Sequence, residues 1–309
     1  MKKLLVALSA VSIIFFMTGC AYFVREPSAQ NIVKSYIEKS ESGSDYESPS
    51  NYIGSVSAGA IISIVSSCYI YSGGYYEEYT NYSSGIVLNA DGYILTSASV
   101  ASVTTASAQY SASLVVGVLA PVYDDNTRYT LKEVDRDEQS GLAIYRFYDR
   151  FYYTDQAGIR QNGLQFTAHL SAVDVTTGSD CWAVGNSLGD LFSDPSSQTI
   201  TGGIVSDCET DQDVFPLVYN GVSYSFMQTT VPTTPEMIGG GLFDKNGYLI
   251  GMFNSKIVSE TDGNYQYLEK SSLFYKTDIL IDYVNTVSER LQTVIRLSVA
   301  SKTPEEAAA

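Results

Sequence analysis

A single histidine, His169, stands among 309 residues. Any serine–histidine–aspartate triad must use it, and a histidine-rich metal site is excluded. Its surroundings, Phe166-Thr167-Ala168-His169-Leu170, read as a strand, and a solvent-facing or half-buried strand position accounts for it without catalysis. The run Gly185-Asn186-Ser187-Leu188-Gly189 has the Gly-x-Ser-x-Gly spacing of a nucleophile elbow. That device needs a strand–turn–helix setting with a histidine further along the chain. Here His169 precedes it and strand-like runs surround it, so the spacing reads as a β-turn. No Ser-x-x-Lys pair occurs, which removes the local form of a serine–lysine dyad and leaves open one built from distant residues. Acids gather at Asp124-Asp125, at Glu133, Asp135, Asp137 and Glu138, and at Glu209, Asp211 and Asp213. Carboxylate oxygens suit calcium, but none of these clusters has EF-hand spacing, and solvated loops explain them as well. No metal and no cofactor is expected.

Composition narrows the function classes further. Eighteen basic residues stand against 34 acids, a net charge of -16. Such a surface repels nucleic acid, whose binding rests on neutralising phosphates. A hydrophobic content of 45% is enough to bury a sizeable core, and the length suits one large or two small folded units. The 25 tyrosines favour strands.

The N-terminus reads as an address. Lys2 and Lys3 precede an apolar run, Leu4 to Met17, that is short for a membrane span. Met17-Thr18-Gly19-Cys20 then resembles the bacterial lipobox, with Met17 in place of the usual Leu. That resemblance implies a signal peptide over residues 1–19, lipidation of Cys20, and a protein held on the outer face of the bacterial cytoplasmic membrane, where two acyl chains anchor stably. Export makes disulfides possible. Cys68, Cys181 and Cys208 remain, and either a Cys181–Cys208 bridge or buried free thiols fits the sequence.

The elements that must position any site are strands. Residues 20–55 are polar and serine-rich and read as a flexible tether, with a short helix possible over Asn31 to Lys39. From Ile61 onward β-like runs follow one another: Ile61–Tyr71, Ser84–Asn89, Tyr93–Ser97, Ser113–Leu119, Ala143–Phe147, Asp180–Val184, Thr199–Ser206, Ser225–Thr230 and Leu249–Asn254. Asp91-Gly92 and Asn246-Gly247 mark hairpin turns. The exception is the C-terminus, where Leu280, Val284, Val287, Leu291 and Val294 recur at helical spacing behind Thr277 or Asp278 as N-cap. Residues 297–309 read as a disordered tail. The expectation is an all-β sandwich or pair of barrels with one closing helix.

Three stretches in order resemble the trypsin-like domain of HtrA-type (DegP-like) serine proteases. They are Ser84-Gly85-Ile86-Val87 through Asp91-Gly92-Tyr93-Ile94-Leu95-Thr96-Ser97-Ala98-Ser99-Val100; Ala183-Val184-Gly185-Asn186 with Thr201-Gly202-Gly203-Ile204-Val205-Ser206; and Met227-Gln228-Thr229, Pro235-Glu236-Met237-Ile238-Gly239-Gly240-Gly241-Leu242 and Asn246-Gly247-Tyr248-Leu249-Ile250-Gly251. The resemblance covers residues 56–296 and implies two six-stranded antiparallel barrels flanking a cleft, with a C-terminal helix.

It also places the catalytic positions. The family's histidine falls on Ser99, its aspartate on Gly141 and its serine on Ile238. Ile238 carries no nucleophile, Ser99 no base near neutral pH, and Gly141 no side chain at all. In a protease, losing the triad costs roughly a factor of 10⁶ in kcat. The backbone at Glu236 and Ile238 corresponds to the oxyanion hole, with the Glu236 carboxylate opposing a developing negative charge. The expected protein is therefore not an enzyme but a binder of protein or peptide. Its candidate binding loop runs from Tyr69 to Tyr82 and includes Tyr75, Tyr76 and Tyr79, since Tyr with Ser, Gly and Asn is typical of recognition loops; exposed aromatics on a strand pair are the plainer reading. A second aromatic stretch is Tyr145, Tyr148, Phe151, Tyr152 and Tyr153. The competing expectation is a hydrolase with a relocated site, for which a hydrogen bond between His169 and a hydroxyl is the sign to look for. A structural spacer of the envelope is the third.

Overall fold

The computed structural model of the protein describes residues 29–31, 48–105, 108–155, 157–186, 198–261 and 264–300. Cys20 and the leader, the segment over Lys34–Lys39, and Ser187–Gly189 lie outside them.

The first barrel comprises β1 (Ile61–Ser72), β2 (Tyr75–Val87), β3 (Tyr93–Ser97), β4 (Leu114–Val118), β5 (Arg128–Asp137) and β6 (Leu142–Phe147). They close in the order β1-β2-β3-β6-β5-β4, every pairing antiparallel. The second part of the chain supplies β7 (His169–Ser171), β8 (Asp180–Asn186), β9 (Gln198–Asp207), β10 (Phe226–Thr229), β11 (Gly241–Phe243), β12 (Leu249–Thr261) and β13 (Asn264–Lys276). A second six-stranded ring runs β11-β8-β9-β10-β13-β12 and closes through β11–β12. Ring closure leaves no long unpaired edge on either barrel.

Both faces of many strands are buried, which is why they read as almost continuous apolar runs. Ile62 and Ile64 of β1, Ile94 of β3 and Ala143, Tyr145 and Phe147 of β6 fill the first barrel. Their neighbours Ile61, Leu95, Leu142 and Ile144 point the other way, into the seam between barrels, where they meet Val184, Met252, Leu273 and Tyr275. Ala183, Met227, Leu242, Phe253 and Phe274 fill the second barrel. Both hairpin turns form as the dipeptides require, with Gly92 and Gly247 each at φ +78°.

The helix at the C-terminus spans Thr277–Arg290, and Leu280, Val284 and Val287 on it are fully buried. Its predicted register holds only to that point. Leu291 and Val294 are 41% and 74% exposed, because the chain turns at Gln292 (φ +50°) and sends Ile295 into the core instead. The residue preceding the helix, Lys276, makes no side-chain cap; Thr277 Oγ1 donates to the Ser171 carbonyl, and Asp278 Oδ1 accepts from the Ile279 amide.

Both boundaries of the folded unit move outward from those expected. A short helix, Pro49–Ser55, precedes β1, and its Ile53 is wholly buried in the seam core, so the fold begins inside the expected tether. Residues 29–31 pair in parallel with Arg150–Tyr152. At the other end β14 (Ser298–Ala300) pairs with β7, so the expected tail starts as sheet. Backbone groups that would otherwise need water are bonded there, which polarity of the sequence does not reveal.

The Cys181–Cys208 bridge does not form; Cys68, Cys181 and Cys208 are free thiols. Cys181 faces the barrel interior and stands opposite Gly203, five residues before Cys208. At about 3.3 Å per residue that offset is about 16 Å, far beyond disulfide reach. Burial, reinforced by Asp180, pushes the Cys181 thiol up to about 12, so it carries no thiolate at pH 8. Maleimide at that pH is expected to modify the half-buried Cys208 and to reach Cys181 only after denaturation. Peptide mass mapping reads the result, and equal labelling of both in the native protein would refute this placement.

Candidate functional site

Ser99, Gly141 and Ile238 come from three separate turns that the two barrels bring to one place. Ser99 lies in the 3₁₀ turn Ala98–Ala101 that follows β3. Ser97 shapes that turn: its Oγ accepts the Ser99 amide at 3.2 Å and lies 2.9 Å from Ser99 Oγ. The Gly141 carbonyl accepts the Ala98 amide at 2.8 Å, which ties the turn at Gly141 to the residue preceding Ser99.

Gly141 is at φ +76°, where a side chain is strained. A Cβ there would also lie 2.7 Å from the Tyr275 hydroxyl, which donates to the Ser140 carbonyl at 2.6 Å. Burial, with Asp137 nearby, raises the Tyr275 phenol well above its ordinary value, so it remains a donor. Tyr275 thus fills the space that a side chain at 141 would enter.

Ile238 follows the short turn Pro235–Met237. Its carbonyl accepts the Ser84 amide at 2.8 Å, which ties the loop to β2 of the other barrel. Its own amide donates to the Pro235 carbonyl at 3.1 Å, and the Gly240 amide turns back to Met237 at 2.8 Å. The expected oxyanion-hole-like pair of donors at Glu236 and Ile238 is therefore not presented: the Ile238 N–H is used within the 3₁₀ turn, because that turn directs it backward along the chain.

Ser84 is the residue sequence reasoning missed. It is fully buried, accepts the Asn186 amide at 2.8 Å and donates to the Glu236 carbonyl at 3.1 Å. Its own carbonyl accepts Thr96 Oγ1 at 2.6 Å. A serine inside a β run gives no hint of this, since every partner but Thr96 belongs to the other barrel.

Ser99 lies between two hollows. One, of about 350 Å³, is lined by Ser99, Ile238, Glu236, Ser83 and Tyr82 among others. The second, of about 530 Å³, is lined by Ser99, Gly141, Tyr110, Arg136 and Asn254 among others. The cleft wall is mainly hydroxyl and amide, with the Glu236 carboxylate at the first hollow. Neither hollow places a histidine or cysteine on its wall.

The tyrosine loop is a continuation of the same wall. Thr80 to Ser83 of β2 line the first hollow, and the β1–β2 ribbon runs on from there to a turn at Gly73 and Gly74. Tyr75 and Tyr76 are 60% and 71% exposed near its tip. Tyr79 differs: its hydroxyl donates to Glu77 at 2.6 Å. The second aromatic stretch divides, with Tyr145 and Phe151 inside the first barrel and Tyr152 half-buried on the strand Arg150–Thr154.

His169 does meet a hydroxyl. Its Nδ1 is 2.7 Å from Ser298 Oγ, its register partner across the parallel β7–β14 pair. Neither side chain lines either hollow beside Ser99. The acids of residues 133–138 are also not a loop cluster. Glu133, Asp135 and Asp137 lie on β5, where Asp135 accepts the Tyr283 hydroxyl at 3.0 Å and pairs with Arg290. Among the described residues no group of three His, Cys, Asp or Glu is arranged to hold a metal.

Two closed antiparallel barrels with a polar cleft at their junction, and a helix behind, define the trypsin-like two-barrel class. The chain belongs to the trypsin-like peptidase domain family, whose pattern matches residues 83–252. Solved structures agree on the fold. The HtrA-type protease AlgW with decapeptide is 20% identical, with 84% of this chain and 74% of that chain covered and a TM-score of 0.57. AlgW with tripeptide is 22% identical over 81% of this chain and 66% of the other, with a TM-score of 0.55. No curated protein matches the sequence.

Proposed function

We propose that this protein is a catalytically inactive HtrA-like member of the trypsin-like family that works by binding a peptide or protein. The observation that carries the reading is the cleft itself: serine, glycine and isoleucine occupy the three catalytic positions, and the Ile238 amide is turned away from the space where an oxyanion would form. An attack on a carbonyl there has no nucleophile, no base and no paired backbone donors. The surface that remains, the hydroxyl-lined hollows continued by the exposed Tyr75 and Tyr76, suits recognition without chemistry. A solved relative in fold was captured with a decapeptide, in keeping with an extended ligand. The lipobox-like Met17-Thr18-Gly19-Cys20 supports lipidation at Cys20 and anchoring of this binder on the outer face of the bacterial cytoplasmic membrane.

Two assays test the reading. The purified protein is expected to take no label from a fluorophosphonate probe and to leave unfolded casein intact, while retaining members of a random peptide library. Tyr75→Ala with Tyr76→Ala is expected to lower that retention at least about tenfold, the effect of losing about 1.4 kcal/mol. A label on any serine, or a library that passes through unretained, defeats the proposal.

The contact of His169 with Ser298 favours a second reading, a hydrolase with a relocated site. An imidazole within hydrogen-bond reach of a hydroxyl is the first requirement for serine activation. Label or casein cleavage that disappears in both His169→Ala and Ser298→Ala would establish this alternative.

A further inference from the structure

We propose that the outer side of the first barrel carries a binding site for phosphate groups, separate from the cleft. A cavity of about 850 Å³ opens there, and Lys132, Arg146, Arg150 and Arg160 all line it. In a chain of net charge -16, four of the 18 basic residues therefore converge on one hollow. Among the described residues none of the four forms an ion pair.

Three of them are held by aromatic faces instead. The Lys132 ammonium lies 3.9 Å from the centre of the Tyr148 ring, the Arg146 guanidinium 4.8 Å from that of Tyr93, and the Arg160 guanidinium 3.7 Å from that of Tyr152. Stacking on a ring orients a guanidinium and leaves its N–H edge free to donate. Arg146 spends one such donor on the Asp91 carbonyl. Asp91, Glu133 and Asp149 also line the cavity. Of these, Glu133 is engaged by Arg136 at 3.5 Å and by the Tyr145 hydroxyl at 3.1 Å. Four cations against three carboxylates, one of them engaged by Arg136, leave the cavity with an excess of positive charge, which an anion with several acceptor oxygens offsets. A phosphate group accepts from several directions at once, which suits four converging cations better than a single planar carboxylate does.

The phosphate belongs either to a lipid headgroup or to a soluble phosphate ester. The geometry favours the headgroup, and this choice, unlike the site itself, rests on anchoring through Cys20. Residue 29 pairs with Arg150 at the cavity rim. It lies nine residue steps from Cys20, a reach of at most about 30 Å.

The test uses full-length Cys20→Ser protein, with and without Lys132→Gln, Arg150→Gln and Arg160→Gln together, so that both carry the same N-terminus. Glycerol phosphate is titrated against each by calorimetry, and each is sedimented with phosphatidylglycerol or phosphatidylcholine vesicles in low salt. The expected result is saturable glycerol phosphate binding and preferential sedimentation with phosphatidylglycerol, both weakened at least tenfold by the triple substitution, with melting temperature unchanged. Glycerol phosphate binding without vesicle preference upholds the site and assigns it to soluble esters. Absence of both, insensitivity of both to the substitutions, or binding of oligoglutamate in place of glycerol phosphate overturns the proposal.

Discussion

Placing the family's triad residues in one chain, as Ser99→His, Gly141→Asp and Ile238→Ser, is expected to leave peptide hydrolysis at least about 10²-fold below a working trypsin-like protease, the penalty for a lost oxyanion-hole donor. The Ile238 amide is bonded to the Pro235 carbonyl at 3.1 Å, and side-chain replacement does not release it. Position 141 resists the change as well. Its φ of +76° disfavours any side chain, and the Tyr275 hydroxyl stands 2.7 Å from where a Cβ would be. Gly141→Asp alone is expected to cost about 1–3 kcal/mol of stability, measurable by urea unfolding. Adding Tyr275→Phe should relieve the crowding but not the strained φ. Fluorogenic peptide turnover and fluorophosphonate labelling of the triple variant read the first effect. A kcat/KM within tenfold of an active relative would show that the turn reopens by itself, and that the retained backbone is still competent.

Gly239→Ala is expected to be strongly destabilising. Gly239 is at φ +83°, and a Cβ on it would run into the Ser84 carbonyl oxygen and come 2.5 Å from Thr96 Oγ1. Both neighbours belong to the first barrel and are fully buried, so neither can yield without opening the seam. Gly74→Ala is the control: it is also at positive φ, +97°, but nothing lies within 4 Å of the new Cβ. Backbone strain alone is expected to cost about 1 kcal/mol at Gly74, whereas strain plus a blocked seam is expected to exceed about 3 kcal/mol at Gly239. Equal midpoints for the two variants in urea would show that the barrels do not depend on this close approach.

That seam explains which strands could be read in advance. The run from Ile61 was legible because one set of side chains fills the barrel and the alternate set fills the seam. The strand Arg128–Asp137 was not, because only Tyr129 and Leu131 turn inward, between charged and polar residues facing water. Its acids looked like a solvated loop, yet Asp135 is the acceptor that ties Tyr283 of the helix to the first barrel. Ile53 and Ser298–Ala300 escaped notice for a related reason: a single buried side chain or a three-residue pairing leaves no periodic signal.

The sequence by itself determined which side chains stand at the three positions aligned with the family's triad. No fold can give Ile238 a heteroatom or Gly141 a carboxylate, and a single histidine limits every rearrangement. Turn dipeptides and apolar runs also determined an all-β fold with one closing helix, because those signals are local; the two-barrel plan came from the resemblance to HtrA-type proteases. Only the tertiary structure decided how the cleft is held: where the Ile238 amide points, what occupies the space beside Gly141, and why Ser84 is buried. It also decided that His169 meets Ser298 and that four cations share one cavity. The cations are brought together by the closure of neighbouring strands, and the other relations depend on groups more than fifty residues apart or on the direction of a single N–H. Such relations arise when barrels close and pack, and residue order alone does not encode them in any local pattern.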